Sequence, residues 1–163
     1  PSPSPSPARA TRPYARVLTP TRPFTGDNMM HGQPVAGNGT AADHPDEACG
    51  VIAGSIESNR PERLVPMVNA VRCPTLYEFD SMDLLRLYRE MDDRDEVPVV
   101  IYHSHPATQA YPSRTDIMQA SEPDAHYVLV SIRETGPAEG PFEFRSFRIV
   151  DGEVTEEQIS ILE

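Results

Sequence analysis

Lysine is absent from this 163-residue chain. All fourteen basic residues are arginine, they face twenty-five acidic residues, and the formal net charge is −11. Affinity for nucleic acid and for anionic membrane surfaces is built on Lys and Arg side chains. The shortage of positive charge therefore argues against both as partners. A chain of this length is expected to form one domain with its own core.

Long apolar runs are also missing. No run approaches the roughly 18 residues of a membrane-spanning helix. The N-terminal stretch carries arginine but lacks the apolar segment of a secretory signal. Only two cysteines are present, Cys49 and Cys73, too few for a disulfide framework at this length. We therefore expect a soluble, cytoplasmic protein whose cysteines are buried thiols.

Proline and glycine dominate residues 1–42. Residues 1–13 repeat proline and serine, which predicts disorder or polyproline II structure, and Tyr14–Thr19 is a candidate short strand. Four glycines and one proline between Phe24 and Ala42 exclude a helix of useful length there. Residues 1–42 are thus predicted to be disordered or irregular, and the folded domain is predicted to span residues 43–163.

Apolar segments with strand or helix patterns follow from Cys49 onward. The predicted strands are Cys49–Ala53, Leu64–Ala70, Val97–Tyr102, His126–Ile132 and Phe142–Val150. The chain then returns from Val154 onward, with Gln158–Leu162 as the last predicted strand. A helix is predicted from Asp80 or Ser81 to about Asp92, and a second from Ser113 to near Pro123. Pro66 places its strand at an edge or a bulge, and Asp151-Gly152 predicts a hairpin turn. The order predicts an α/β fold in which a mixed β-sheet is sandwiched by helices.

The segment after the central strand carries the chemistry. His103 and His105 are two residues apart, so in an extended chain their side chains lie on one face. Asp116 falls one turn inside the next helix and can return toward the same point. Two imidazoles and one carboxylate form a ligand set that suits a single catalytic zinc ion with an open position for water. The sequence therefore predicts His103, His105 and Asp116 as metal ligands.

Two further residues complete a hydrolytic site. Zinc lowers the pKa of water, and a nearby carboxylate must take the proton. Glu47 is the best candidate because it lies at the entrance of a strand that can pair beside Val97–Tyr102. Ser113 is placed to hydrogen-bond the developing oxyanion, and the predicted reaction is hydrolysis of an amide bond. A histidine pair at this spacing would by itself be a weak signal for a metal site. The alternative interpretation is that these are unrelated polar residues at the ends of strands and helices.

The pattern of Glu47, His103-Ser104-His105-Pro106 and Ser113-x-x-Asp116 resembles the signature of the JAB1/MPN/Mov34 (JAMM) metallopeptidases. The resemblance spans about residues 43–163. It implies a cytidine-deaminase-like α/β fold and one zinc ion per chain. It also implies cleavage after the C-terminal Gly-Gly of a small ubiquitin-like sulfur carrier protein, with release of cysteine. In the same resemblance Glu47 is the general acid/base and Ser113 supports the oxyanion.

Several alternatives stay open. The substrate can be another sulfur carrier or an isopeptide conjugate, or the domain can be a non-catalytic scaffold, although such relatives typically lack a ligand. Tyr77 and Phe79 are either walls of the substrate cleft or core residues. An exposed C-terminal strand edge would allow pairing into a homodimer. Family members carry a helix where this chain has Phe24–Ala42; either it is lost here, or the N-terminal reading frame is wrong.

Overall fold

The computed structural model describes residues 29–30, 33–34, 45–58, 60–133 and 142–159. Their elements, in chain order, are β1 (Met29–Met30), β2 (Gln33–Pro34), β3 (Cys49–Ser55), β4 (Arg63–Met67), α1 (Ser81–Asp93), β5 (Glu96–His105), α2 (Arg114–Gln119), β6 (His126–Ser131), β7 (Glu143–Val150) and β8 (Glu153–Glu157). β1 and β2 pair with each other as a two-stranded ladder.

The other six strands form one mixed sheet in the order β4-β3-β5-β6-β7-β8. Only β5 and β6 run parallel; the other neighbours are antiparallel. A parallel pair needs a crossover connection, and α2 lies within the one that joins β5 to β6. β4 is an edge strand, as its Pro66 predicted. The predicted α/β fold with a mixed sheet and helices is confirmed.

The central strand β5 is buried over most of its length because it lies between β3 and β6. One apolar cluster joins the helices to the sheet and contains Leu87, Met91, Val51, Ile101, Leu129 and Phe147, with Ile117 packed against it. A second cluster contains Val99, Val100, Tyr102 and Val128. No helical residue of the described ranges belongs to this second cluster. Both helices therefore help to fix the face of β5 that carries Ile101.

Close packing constrains the second cluster at one glycine. Gly50 pairs with Tyr102 across β3 and β5. A Cβ atom at Gly50 would lie 2.3 Å from the Tyr102 hydroxyl oxygen and 2.5 Å from ring atom Cζ. The aromatic ring thus occupies the space that any other residue would need. This pair fixes the register of β3 beside β5.

Local sequence signals account for the ends of the elements. The Asp80 carboxylate accepts the backbone N–H groups of Met82 and Asp83 and so caps α1. Asp151 and Gly152 both have positive φ, 50° and 82°, as the turn between β7 and β8 requires. No helix in the described ranges is long and apolar enough to cross a membrane.

Several predicted boundaries were wrong. β4 ends at Met67 rather than Ala70, α2 ends at Gln119, and β8 ends at Glu157 with Gln158 outside any strand. β5 continues to His105, so both histidines lie inside the strand rather than after it. Cys49 is buried as predicted, whereas Cys73 is only half-buried.

Some predictions lie outside the described residues. One group is residues 1–28, with the candidate strand Tyr14–Thr19. The others are most of Phe24–Ala42, the domain boundary at residue 43 and the chain beyond residue 159. The two-residue strands β1 and β2 fall within the segment predicted to be irregular. The domain division therefore remains a prediction.

Candidate active site

Two buried imidazoles meet at the end of β5. His103 and His105 have exposed fractions of 1% and 3%, and their Nε2 atoms lie 3.1 Å apart. The period of two in a β-strand places both side chains on one face, as predicted. The hydrophobic cluster under that face contributes to their burial.

Asp116 brings a carboxylate to the same point. It is the third residue of α2, and its Oδ2 atom lies 3.4 Å from His103 Nε2 and 3.7 Å from His105 Nε2. A capping box sets its position: the Ser113 hydroxyl accepts the Asp116 N–H at 3.2 Å, and Asp116 Oδ2 accepts the Ser113 N–H at 2.6 Å. The helix start therefore aims the carboxylate at the histidines.

The spacing of these three atoms fits tetrahedral zinc. Zinc binds imidazole nitrogen and carboxylate oxygen at about 2.0–2.2 Å, which places neighbouring ligand atoms roughly 3.3–3.5 Å apart. The observed separations of 3.1, 3.4 and 3.7 Å bracket that value. Three atoms with lone pairs at this spacing repel one another unless a proton or a cation lies between them. The donor set is thus suited to a divalent metal.

Glu47 offers a competing third ligand. It forms a cluster with the two histidines in which all ligand atoms lie within 4.8 Å. Its Oε1 atom is 3.9 Å from His105 Nε2, farther than either contact of Asp116. The carboxylate of Asp116 therefore closes the tighter triangle, and that of Glu47 lies beside it.

The backbone around Glu47 is held at three points. The Glu47 N–H donates to the Cys73 carbonyl, and the Glu47 carbonyl accepts the Asn69 side-chain amide, both at 3.0 Å. The next residue, Ala48, donates its N–H to the Ser104 hydroxyl and accepts the Ser104 N–H, both at 2.8 Å. Ser104 lies between the two histidines, so this pairing sets Glu47 directly beside them.

The Glu47 carboxyl is poised for proton transfer. Its side chain is 3% exposed, and its Oε2 atom has no hydrogen-bond partner in the described part of the chain. Burial raises the pKa of Glu47 from its ordinary 4.5 to about 7, although nearby His105 partly opposes the rise. A carboxyl group with a pKa near neutrality can both accept and return a proton at neutral pH.

The pKa shifts of His103 and Asp116 favour metal binding, whereas that of His105 opposes it. Burial lowers the pKa of His103, which keeps its imidazole neutral. Burial alone would raise the pKa of Asp116, but hydrogen bonds with His103 and His105 hold it well below its usual range. Burial alone would lower the pKa of His105, but a hydrogen bond with Asp116 raises it above the ordinary value. A neutral imidazole and an ionised carboxylate are the forms that bind zinc.

His105 is oriented through its other ring nitrogen. Its Nδ1 lies 2.7 Å from the Gln109 carbonyl oxygen, to which it donates, and 3.0 Å from the Thr108 hydroxyl. With Nδ1 as the donor, Nε2 of the neutral ring keeps the lone pair that a metal would bind. The loop after β5 thus fixes the tautomer of one metal-ligand candidate.

The structure brings together four of the five residues predicted from the sequence: Glu47, His103, His105 and Asp116. The fifth, Ser113, caps α2 as predicted, and its oxyanion role remains a prediction. Sequence reasoning missed the supporting residues Asn69 and Ser104. The only signal for Ser104 was its place between the two histidines.

A third histidine of the described residues has partners of its own. His126 lies 2.7 Å from the Glu157 carboxylate and 3.2 Å from an Arg148 nitrogen. These contacts tie β6 to β7 and β8 and agree with a structural role. His31 and His44 lie outside the described residues.

Known proteins with similar sequences are peptidases. The CysO-cysteine peptidase of Mycobacterium tuberculosis is 62% identical over 121 residues, which cover 74% of this chain and 80% of that protein. The desampylase of Haloferax volcanii is 33% identical over 97 residues, which cover 59% of this chain and 70% of that protein.

Fold and family agree with these matches. The solution structure of a protein from Desulfitobacterium hafniense superposes with a TM-score of 0.63 at 30% identity, over 76% of this chain and 84% of that one. The family model of the prokaryotic homologs of the JAB domain matches residues 39–150, more than half of the chain. This protein therefore belongs to the prokaryotic homologs of the JAB domain.

Proposed function

We propose that this peptidase uses one zinc ion, held by His103, His105 and Asp116, to hydrolyse the amide bond after the C-terminal Gly-Gly of a ubiquitin-like sulfur carrier protein and release cysteine. One observation carries the proposal. The two Nε2 atoms and Asp116 Oδ2 form a buried triangle with sides of 3.1–3.7 Å, and the Glu47 carboxyl lies beside it. This is the arrangement that metal-assisted amide hydrolysis requires.

The chain's own residues supply the proton chemistry. When bound, zinc polarises the scissile carbonyl and acidifies water, which are the two contributions expected of it. Glu47 takes the proton of the attacking water and returns it to the leaving amine, so the carboxyl ends the cycle as it began. Its burial beside the proposed ligands suits it to both steps. The Ser113 hydroxyl, which accepts the Asp116 N–H, still has its own hydrogen to donate to the oxyanion.

Two features support a carrier protein with a Gly-Gly tail as the substrate: the small size of glycine and the edge of the sheet at β4. Glycine has no side chain to clash, so a Gly-Gly tail can enter a narrow cleft. β4 is an edge strand beside β3, whose entrance carries Glu47, and an extended tail can add to such an edge. The relative that is 62% identical is itself named for cleavage of cysteine from CysO, which favours cysteine as the released amino acid.

The test is cleavage of a sulfur carrier ending in Gly-Gly-Cys, followed by intact mass spectrometry. We expect a mass loss of one cysteine residue with the zinc-loaded protein. We expect none with the metal-free protein, and none with Glu47→Gln, which should still bind zinc by elemental analysis. Cleavage by zinc-loaded Glu47→Gln at the wild-type rate would refute the assignment of the base.

Two other functions give different outcomes in the same assay. An isopeptidase, the alternative that the sequence leaves open, would cleave a carrier joined to a lysine side chain faster than the cysteine adduct. A non-catalytic scaffold would cleave neither, and it would remain short of one zinc per chain after purification with excess metal. Side-by-side rates on the two conjugates therefore separate the three functions.

A further inference from the structure

The two imidazoles of the active site are supported in different ways. The Nδ1 atom of His105 donates to the Gln109 carbonyl. By contrast, the Nδ1 atom of His103 is buried and has no hydrogen-bond partner in the described residues. A metal-binding histidine usually donates its second ring nitrogen to a carboxylate, a carbonyl or water, which fixes the orientation of the ring. The orientation of His103 must therefore come from another contact.

The aromatic ring of Tyr77 provides that contact. Its centroid lies 4.5 Å from the centroid of the His103 ring, and the two planes are 28° apart, which is a stacked arrangement. Such a contact restricts rotation of the imidazole out of its plane. No hydrogen bond of the Tyr77 hydroxyl is found within the described ranges, so the ring itself makes the contact that matters.

Tyr77 is 8% exposed and belongs to the main core cluster. It also borders a cavity of about 250 Å³ between α1 and the sheet, which is lined by Phe79, Leu84 and Met91 as well. The ring therefore has open space on one side, and a constraint on its own segment adds to the packing that keeps it on His103.

That constraint is the buried side-chain amide of Asn69. Its Nδ2 donates to the Leu76 carbonyl at 3.0 Å, and its Oδ1 accepts the Glu78 N–H at 3.2 Å. These are the two residues that flank Tyr77. The same Nδ2 donates to the Glu47 carbonyl at 3.0 Å. One amide thus binds both the segment that carries Tyr77 and the backbone of the proposed base.

We propose that Tyr77 is a positioning residue that orients the His103 imidazole for metal binding by stacking, and that the Asn69 amide holds Tyr77 and Glu47 in one fixed arrangement. The inference rests on the proposed function, because it assigns His103 to the metal. It adds a route by which the loop of residues 69–79 controls the metal affinity of the site.

Tyr77→Leu and Tyr77→Phe separate the ring from the hydroxyl. Loss of a group that orients a metal ligand by hydrogen bonding typically weakens metal binding by roughly 10–100-fold, and we expect the stacked ring to act in the same range. We therefore expect Tyr77→Leu to raise the zinc dissociation constant by that factor in competition with a chromophoric chelator. Tyr77→Phe keeps the stacking ring and should stay within about twofold of the wild type.

Phe79→Leu is the matched control. Phe79 packs edge-on against Tyr77 at 5.3 Å and lines the same cavity, so its loss should destabilise the fold comparably while leaving zinc affinity within about twofold. The cobalt-substituted proteins give a second readout, since the visible bands of cobalt report ligand geometry. We expect altered bands in Tyr77→Leu and unchanged bands in Phe79→Leu.

Asn69→Asp tests the second half of the proposal and does not remove the ring. It keeps the acceptor atoms but removes both Nδ2 donors, so zinc affinity and the turnover of the zinc-saturated protein should fall together.

If Tyr77→Leu does not fold, Tyr77→Met and Asn69→Asp replace it. Equal zinc affinity and equal cobalt bands for the Tyr77 variant and Phe79→Leu would overturn the positioning role, and unchanged turnover in Asn69→Asp would overturn the coupling to Glu47. A wild-type protein that binds no zinc would instead refute the proposed function.

Discussion

Glu47→Gln should change the pH dependence of stability in the metal-free protein. The folded state raises the pKa of the buried Glu47 carboxyl from 4.5 to about 7. Between these values the folded state holds a proton that the unfolded state has released. The stability contributed by this group is therefore complete at low pH and is lost as the pH rises through about 7. Glutamine has the same shape and does not titrate, so the variant should lack this loss.

The magnitude follows from the size of the pKa shift. One pKa unit corresponds to about 1.4 kcal/mol, and the shift spans about two and a half units, so the full effect is about 3 kcal/mol. Most of it, about 2.5 kcal/mol, falls between roughly pH 5 and pH 8. Solvent screening should reduce it little because the side chain is 3% exposed. Relative to wild type, the metal-free variant should gain stability by this amount over that range.

Urea denaturation of both proteins at several pH values, with a chelator present, measures the difference. Other titrating groups are common to both chains and cancel to first order. Glu153→Gln, at an exposed position, is the control and should show no such trend. A difference between wild type and Glu47→Gln that stays constant from pH 5 to pH 8 would refute the account of a buried, proton-holding carboxyl. Zinc should flatten the trend, because a nearby cation favours the ionised form.

Three further substitutions test the surroundings of the site. Asp116→Asn removes the anionic ligand, so zinc content by elemental analysis should drop and cleavage should slow by at least roughly 100-fold; full retention of zinc would exclude it as a ligand. Ser104→Ala leaves the buried Ala48 N–H without its acceptor, which should lower the free energy of unfolding in urea by about 1–3 kcal/mol. Gly50→Ala would place a Cβ 2.3 Å from the Tyr102 hydroxyl. Overpacking of this kind costs about 1–3 kcal/mol, and an unchanged melting temperature would contradict the close contact.

The triangle of His103, His105 and Asp116 could be predicted because each of its parts rests on a local rule. Strand periodicity aligns His103 with His105, and the capping pattern that begins at Ser113 turns Asp116 back toward them. Neither rule depends on knowledge of distant contacts. The mixed sheet could be predicted for the same reason, since each strand and helix has its own apolar period.

The supporting contacts could not be predicted because they join segments far apart in the chain. Ser104 accepts the N–H of a residue fifty-six positions away, and this pairing depends on the register between β3 and β5. The apolar neighbours of Asn69 predict that it lies in a strand. In the structure β4 ends at Met67, and the Asn69 side chain hydrogen-bonds the loop that follows. The sequence leaves two roles open for Tyr77, a wall of the substrate cleft or a core residue. Its stacking on His103 becomes visible only in three dimensions.

The unpaired polar atoms of the described residues point to the same site. Only two buried side-chain atoms there lack a hydrogen-bond partner, Glu47 Oε2 and His103 Nδ1. Each such atom costs about 1–3 kcal/mol of stability in an ordinary core. Their concentration around the proposed ligands indicates that this chain gives up stability where it needs an available proton acceptor and a correctly oriented ring. The stabilisation expected for metal-free Glu47→Gln at alkaline pH measures the cost of holding an ionised carboxylate at this buried position.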